Sequence, residues 1–104
     1  METTVTIVRI YLSEADHGRH KTLMQEILNI LHDQHRVKGV TVFRGIAGFG
    51  DTGEVHASDL LRLLVDLPLV IEFFDEPSVV QAVLSLLDGL LPAGRIVQWQ
   101  ATCR

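Results

Sequence analysis

Polar and apolar residues alternate at the start of the chain. Thr6, Val8, Ile10 and Leu12 fall on one side of an extended backbone and Val5, Ile7, Arg9 and Tyr11 on the other. This period of two predicts a strand over Thr4 to Leu12 whose two faces are both largely apolar. The polar segment SEADHGRH, with Gly18, breaks the pattern as a loop would. Leu23, Ile27 and Ile30 with Met24, Leu28 and Leu31 then recur at three- and four-residue intervals, predicting a helix that stops near Arg36, before Gly39. The segment GVTVFRGIAGFG is β-branched and aromatic at first and glycine-rich later, so a strand starts at Val40 and runs out into a loop near Gly50. After DTGEVHASD comes a second apolar run, of which PLVIEFFD is the most strand-like part. Pro68 suits an edge position or a bulge there, because it donates no hydrogen bond. Asp75 is placed to cap the next helix and Pro77 to occupy its first turn. Val79, Val80, Val83, Leu84, Leu86, Leu87 and Leu90 give that helix a broad apolar face, ended by Gly89 and the PAG turn. In RIVQWQATC, Val97, Trp99 and Ala101 alternate with Gln98 and Gln100, predicting a last strand.

The predicted order is strand, helix, strand, strand, helix, strand, with no internal linker or repeat. It reads as one α+β domain over residues 1–104: a ferredoxin-like βαββαβ sandwich, an antiparallel four-stranded sheet with two helices on one face. Two helices cover one face only, yet the first strand and PLVIEFFD are apolar on both. The bare face therefore predicts a homo-oligomer in which sheets or sheet edges meet.

Composition narrows the function classes. Apolar residues make up 47% of the 104, and the formal net charge is −4, which favours a packed globule over a disordered acidic chain. Without a Lys/Arg cluster the chain lacks the electrostatic footprint of a nucleic-acid binder. Cys103 is the lone cysteine, so no intrachain disulfide forms and a cytoplasmic location is the simpler expectation. METTVTIVRIYL shows no export signal, and LLRLLVDLPLVIEFF is too short and too interrupted by Arg62, Asp66, Pro68 and Glu72 for membrane insertion as a helix.

Candidate chemistry gathers around FRGIAGFGDTGEVH. Its glycines have neither the dinucleotide-fingerprint spacing nor the Lys-Ser/Thr of a phosphate-binding P-loop. Strand glycines such as Gly45 and Gly48 permit a bulge or close backbone approach, and Gly50 and Gly53 can take positive φ. Structural packing is the leading reading. The second is an anion contact through free amides, with Arg44 supplying charge. The polar stretch over residues 50–58, with Asp51, Glu54 and His56 as chemical handles, fits either partner recognition or a solvated connection. Five histidines raise a metal reading: His17 and His20 lie near Glu14 and Asp16, and His32 and His35 are three apart on a helix. Exposed histidines are the plainer reading, since no cysteine pair or HExxH pattern accompanies them. Glu14 and Asp16 form an acidic pair of the kind usually solvated in a loop. With no nucleophile elbow or catalytic cysteine signature, the chain does not read as an enzyme.

IYLSEAD, GVTVFRGIAGFG and VHASDLLRLLVDLPLVIEFFD, with the short closing strand, resemble the family called domain of unknown function 190 over nearly the whole chain. RGIAGFG followed at a distance by DLPLVIEFFD is the most specific element. That family is grouped with PII-like proteins. The resemblance implies a ferredoxin-like fold, a compact homotrimer, a loop between the second and third strands that reports ligand state to a partner, and nucleotide-binding clefts between subunits. The sequence departs from the family where Ser13 precedes Glu14 in place of a common glycine, and where Met24 stands in an aromatic's place. In DGLLPAGRIVQ, Gly94, Arg95 and Ile96 fall like the end of the PII Gly-Lys-Ile turn, while the richer upstream glycine pattern is missing. The implied ligand set is Arg44, Gly45, Gly48, Gly50, Gly94 and Arg95, around a small anion such as an adenine nucleotide. Two alternatives stand beside it. One is a divalent-cation-responsive trimer like the copper-tolerance relatives of the fold, using His17, His20, His56 or the acidic residues; the other is an interaction module that docks a partner without any ligand.

Overall fold

The computed structural model describes residues 2–14, 16, 22–35, 37–47 and 67–104. Four strands, β1 (Thr3–Ser13), β2 (Gly39–Arg44), β3 (Pro68–Asp75) and β4 (Ile96–Cys103), form one sheet in the order β2-β3-β1-β4. Every neighbouring pair is antiparallel. Helix α1 (Leu23–Asn29) continues as a wider π-helical stretch, Ile30–His35, and α2 (Pro77–Leu87) follows β3. The architecture is the α+β, ferredoxin-like one expected from the alternation of patterns.

Register explains the two faces. Val8 and Ile10 of β1 pair with Phe73 and Ile71, and Leu12 with Leu69, which puts these six side chains on the helix side. They bury there with Leu23, Ile27 and Leu31 from the first helical segment. From α2 come Val80, Val83, Leu84 and Leu87, spaced as one helical stripe. Thr22 starts α1 by accepting the Gln25 N–H on its hydroxyl oxygen at 3.3 Å. Pro77 occupies the first turn of α2, where its missing N–H costs little.

Two local expectations are corrected. Pro68 lies in an interior strand, since β3 has β2 on one side and β1 on the other. It is accommodated because it is the strand's first residue. Asp75 is not the cap of α2: Glu76 holds that position and makes no side-chain cap bond. Asp75 remains the buried end of β3, accepting the Lys38 N–H at 3.0 Å and the Glu76 N–H at 2.7 Å, and so ties the start of β2 to the start of α2.

Candidate functional site: the sheet end and the open face

The C-terminal ends of β1 and β2 meet the N-terminal ends of β3 and β4 at one end of the sheet. Arg44 pairs in register with Leu69, and Leu69 with Leu12, while Tyr11 donates its N–H to the Arg95 carbonyl at 2.9 Å. Residues distant in sequence therefore converge. Arg44 Nε lies 2.6 Å from Glu14 Oε1. Arg95 Nη1 donates to Asp16 Oδ2 at 3.1 Å and to the Tyr11 carbonyl at 3.2 Å. Asp16 is fixed in turn: its Oδ2 accepts the Ser13 N–H at 2.8 Å, and its carbonyl accepts the Leu23 N–H at 3.1 Å. The Glu14 contact is Coulombic, because its buried Oε1 lies within ion-pair distance of Arg44 but accepts no directed hydrogen bond among the described residues.

Of the six residues in the expected ligand set, Arg44, Gly45 and Arg95 sit at this sheet end, and Gly94 lies in the turn immediately before β4. Gly48 and Gly50 lie outside the described residues, as do Asp51, Glu54 and His56, the rest of segment 50–58, and His17 and His20. Gly45 is needed for close approach: a Cβ there would stand 2.5 Å from Pro68 Cγ, and its N–H donates to the Pro68 carbonyl at 2.8 Å. Its amide is thus engaged by protein. Gly94 has φ +88°, a conformation that favours glycine, and open space where a Cβ would be. What sequence reasoning missed is the pairing of Glu14 and Asp16 with the two arginines. Asp16 and Arg95 are 79 residues apart, and no local pattern links them. No group of three or more potential metal ligands occurs among the described residues. His32 is exposed and paired with Asp33 at 2.8 Å.

The second feature is the sheet face away from the helices. Across it run Phe43 and Val70 with Tyr11, Phe74 with Ile7 and Trp99, and Val97. Phe43, Tyr11, Trp99 and Val97 are each between 41% and 48% exposed, a contiguous apolar and aromatic surface on one side of the sheet. An ion pair crosses it: Arg9 Nε donates to Glu72 Oε1 at 2.7 Å, and the Arg9 guanidinium lies 5.7 Å from the Trp99 ring centroid. The hydrogen bond to Glu72, followed by the one to Tyr11, raises the Arg9 pKa above its ordinary value, so the guanidinium stays charged across any working pH. A separate groove on the helix side, lined by Leu28, Leu31, Val37, Val40 and Val42, contains neither of the two arginines.

An antiparallel β2-β3-β1-β4 sheet with two helices on one face is the ferredoxin-like fold, and solved PII-like structures share it. CPII from Thiomonas intermedia K12, solved with ADP and bicarbonate, superposes with a TM-score of 0.62 at 20% identity, covering 99% of this chain and 89% of that one. A Thermus thermophilus protein described as PII-like and signalling superposes at TM-score 0.58 and 14% identity, covering 98% and 89%. The chain belongs to the DUF190 family, described as "Uncharacterized ACR", whose sequence profile matches residues 5–103. A UPF0166 protein of Methanocaldococcus jannaschii is 39% identical over 66% of this chain, and the match spans 62% of that relative's length. A UPF0166 protein of Aquifex aeolicus is 32% identical over 80% of this chain and 78% of its own. Among the described residues no helix is long and apolar enough to cross a membrane.

Proposed function

We propose that this protein is a cytoplasmic, non-enzymatic PII-like signalling protein. It assembles as a homotrimer through the open sheet face, binds a small anion, specifically an adenine nucleotide such as ADP, in clefts between subunits, and contacts a protein partner through residues 50–58. The observation that carries the reading is that Arg44, at the end of β2, and Arg95, just before β4, are both held at one end of the sheet by carboxylates, Glu14 and Asp16, that follow β1. Guanidinium groups held in fixed positions bind phosphate oxygens by charge-assisted and bidentate hydrogen bonds. Arg95 is the better placed of the two, because its two Nη1 bonds orient the guanidinium before any ligand arrives. The ADP-bound state of CPII supports the same choice of ligand. Ligand occupancy would then alter affinity for a partner to the extent that the ligand binds two states of the protein unequally.

Isothermal titration of the full chain with ADP, alongside native mass spectrometry, tests this. The expected result is a trimer that binds ADP, with affinity about 10- to 100-fold weaker in Arg95→Ala, the loss expected for one charged hydrogen-bonding group. A monomer at all concentrations, or absence of heat and of mass adduct with ADP, overturns the reading.

A further inference from the structure

The two arginines at the sheet end are held unequally. Arg95 is fixed through Asp16, through the Tyr11 carbonyl and through its own carbonyl. Arg44 has one anchor among the described residues, Glu14, and its side chain is 67% exposed. Two guanidinium groups and two carboxylates leave the quartet neutral, so an anion approaching Arg44 meets little net attraction. It must compete with Glu14 for the same group. A monoanion such as acetate carries no more charge than the carboxylate it would displace, and it also loses translational freedom on binding. Displacement leaves the buried Glu14 Oε1 without its counter-charge, a cost that only a ligand with surplus charge offsets. The Glu14 backbone is fixed, since its N–H donates to the Leu67 carbonyl at 3.0 Å beside the start of β3, which keeps the carboxylate within reach of Arg44.

We infer that Glu14 is a specificity-determining residue, an internal carboxylate competitor that reserves Arg44 for polyanionic phosphate groups and turns away monoanions. This rests on the anion site proposed above and names the class of ligand that site accepts.

The test is titration of the full chain with inorganic pyrophosphate and, separately, with acetate, using the wild type, Glu14→Gln, Glu14→Asp and Glu2→Gln. Glu14→Gln removes the competing charge. Glu14→Asp keeps the net charge but shortens the reach to Arg44, and it serves in place of Glu14→Gln should that variant fold poorly. Glu2→Gln removes one charge from beyond the other end of β1, about 35 Å along the strand. The wild type should bind pyrophosphate and show no acetate binding. Glu14→Gln should bind pyrophosphate about 3- to 10-fold more tightly, the range set by an exposed ion pair plus one screened like-charge repulsion, and should gain measurable acetate binding. Glu14→Asp should move in the same direction, and Glu2→Gln should match the wild type. Pyrophosphate affinity unchanged or weakened in the Glu14 variants, or strengthened equally in Glu2→Gln, overturns the role of Glu14 and leaves the anion site standing. Absence of pyrophosphate binding in the wild type and in both Glu14 variants overturns the inference and the site together.

Discussion

Trp99 offers a direct measure of the open sheet face. It is the chain's single tryptophan, it stands opposite Ile7 on that face, and it is 41% exposed. A tryptophan side chain presents roughly 250 Å² to solvent when free, so about 100 Å² remains to be covered by a partner. At about 25 cal/mol per Å², covering it stabilises assembly by about 2.5 kcal/mol per protomer. Trp99→Ala keeps a methyl group and so loses about 2 kcal/mol per protomer, about 6 kcal/mol over the proposed trimer. That is roughly four powers of ten in the monomer–trimer constant. Because this constant has the dimension of concentration squared, the midpoint concentration for assembly should rise by about a hundredfold. The loss of the Arg9 contact with the ring, about 0.5–1 kcal/mol at an exposed site, acts in the same direction if the partner subunit covers the pair. Sedimentation velocity over a dilution series measures the midpoint for both proteins, with circular dichroism to establish that the variant is folded. In the wild type, tryptophan emission should shift to the red as dilution exposes the ring. A folded Trp99→Ala with the wild-type midpoint, or wild-type emission that does not change as sedimentation shows dissociation, would refute the assignment of this face to the interface.

Two further expectations concern the frame around the site. Gly45→Ala forces a Cβ to within 2.5 Å of Pro68 Cγ, part of a ring that cannot rotate away, and should destabilise the fold by about 1–3 kcal/mol. Thermal melting should show this as a loss of roughly 5–20 °C in Tm, and an unchanged Tm would mean that β2 and β3 do not approach so closely. Asp75→Ala deprives the Lys38 and Glu76 amides of a charged acceptor and should cost about 2–3 kcal/mol, with Asp75→Asn losing less. Urea unfolding should report it as a lower midpoint at constant slope, and equal midpoints for Asp75→Ala and wild type would remove Asp75 from its linking role.

Much of this protein is legible residue by residue along the chain. The period-two runs that form β1 and β4, the stripe Val80, Val83, Leu84 and Leu87, and Pro77 at a helix start each depend on neighbours within a few positions, and local sterics and burial suffice to specify them. The doubly apolar strands likewise announce an uncovered face, because a pleated strand sends alternate side chains to opposite sides whatever its neighbours are. Strand order is another matter. That β3 and β1 lie inside the sheet, that Pro68 can begin an interior strand, and that Gly45 must be glycine because a proline ring 23 positions later packs on it, follow only once the strands have paired. The same holds for the site. Arg44 and Arg95 stand out in the sequence as isolated cations, and Glu14 and Asp16 as a solvated acidic pair; folding joins them because antiparallel pairing brings the end of β1 against the start of β4, and β3 carries the end of β2 to the same end of the sheet. Charge acts through space at a few ångströms, whereas sequence patterns register only the spacing along one strand or helix, so the ion pairs that govern this site belong to the tertiary structure alone.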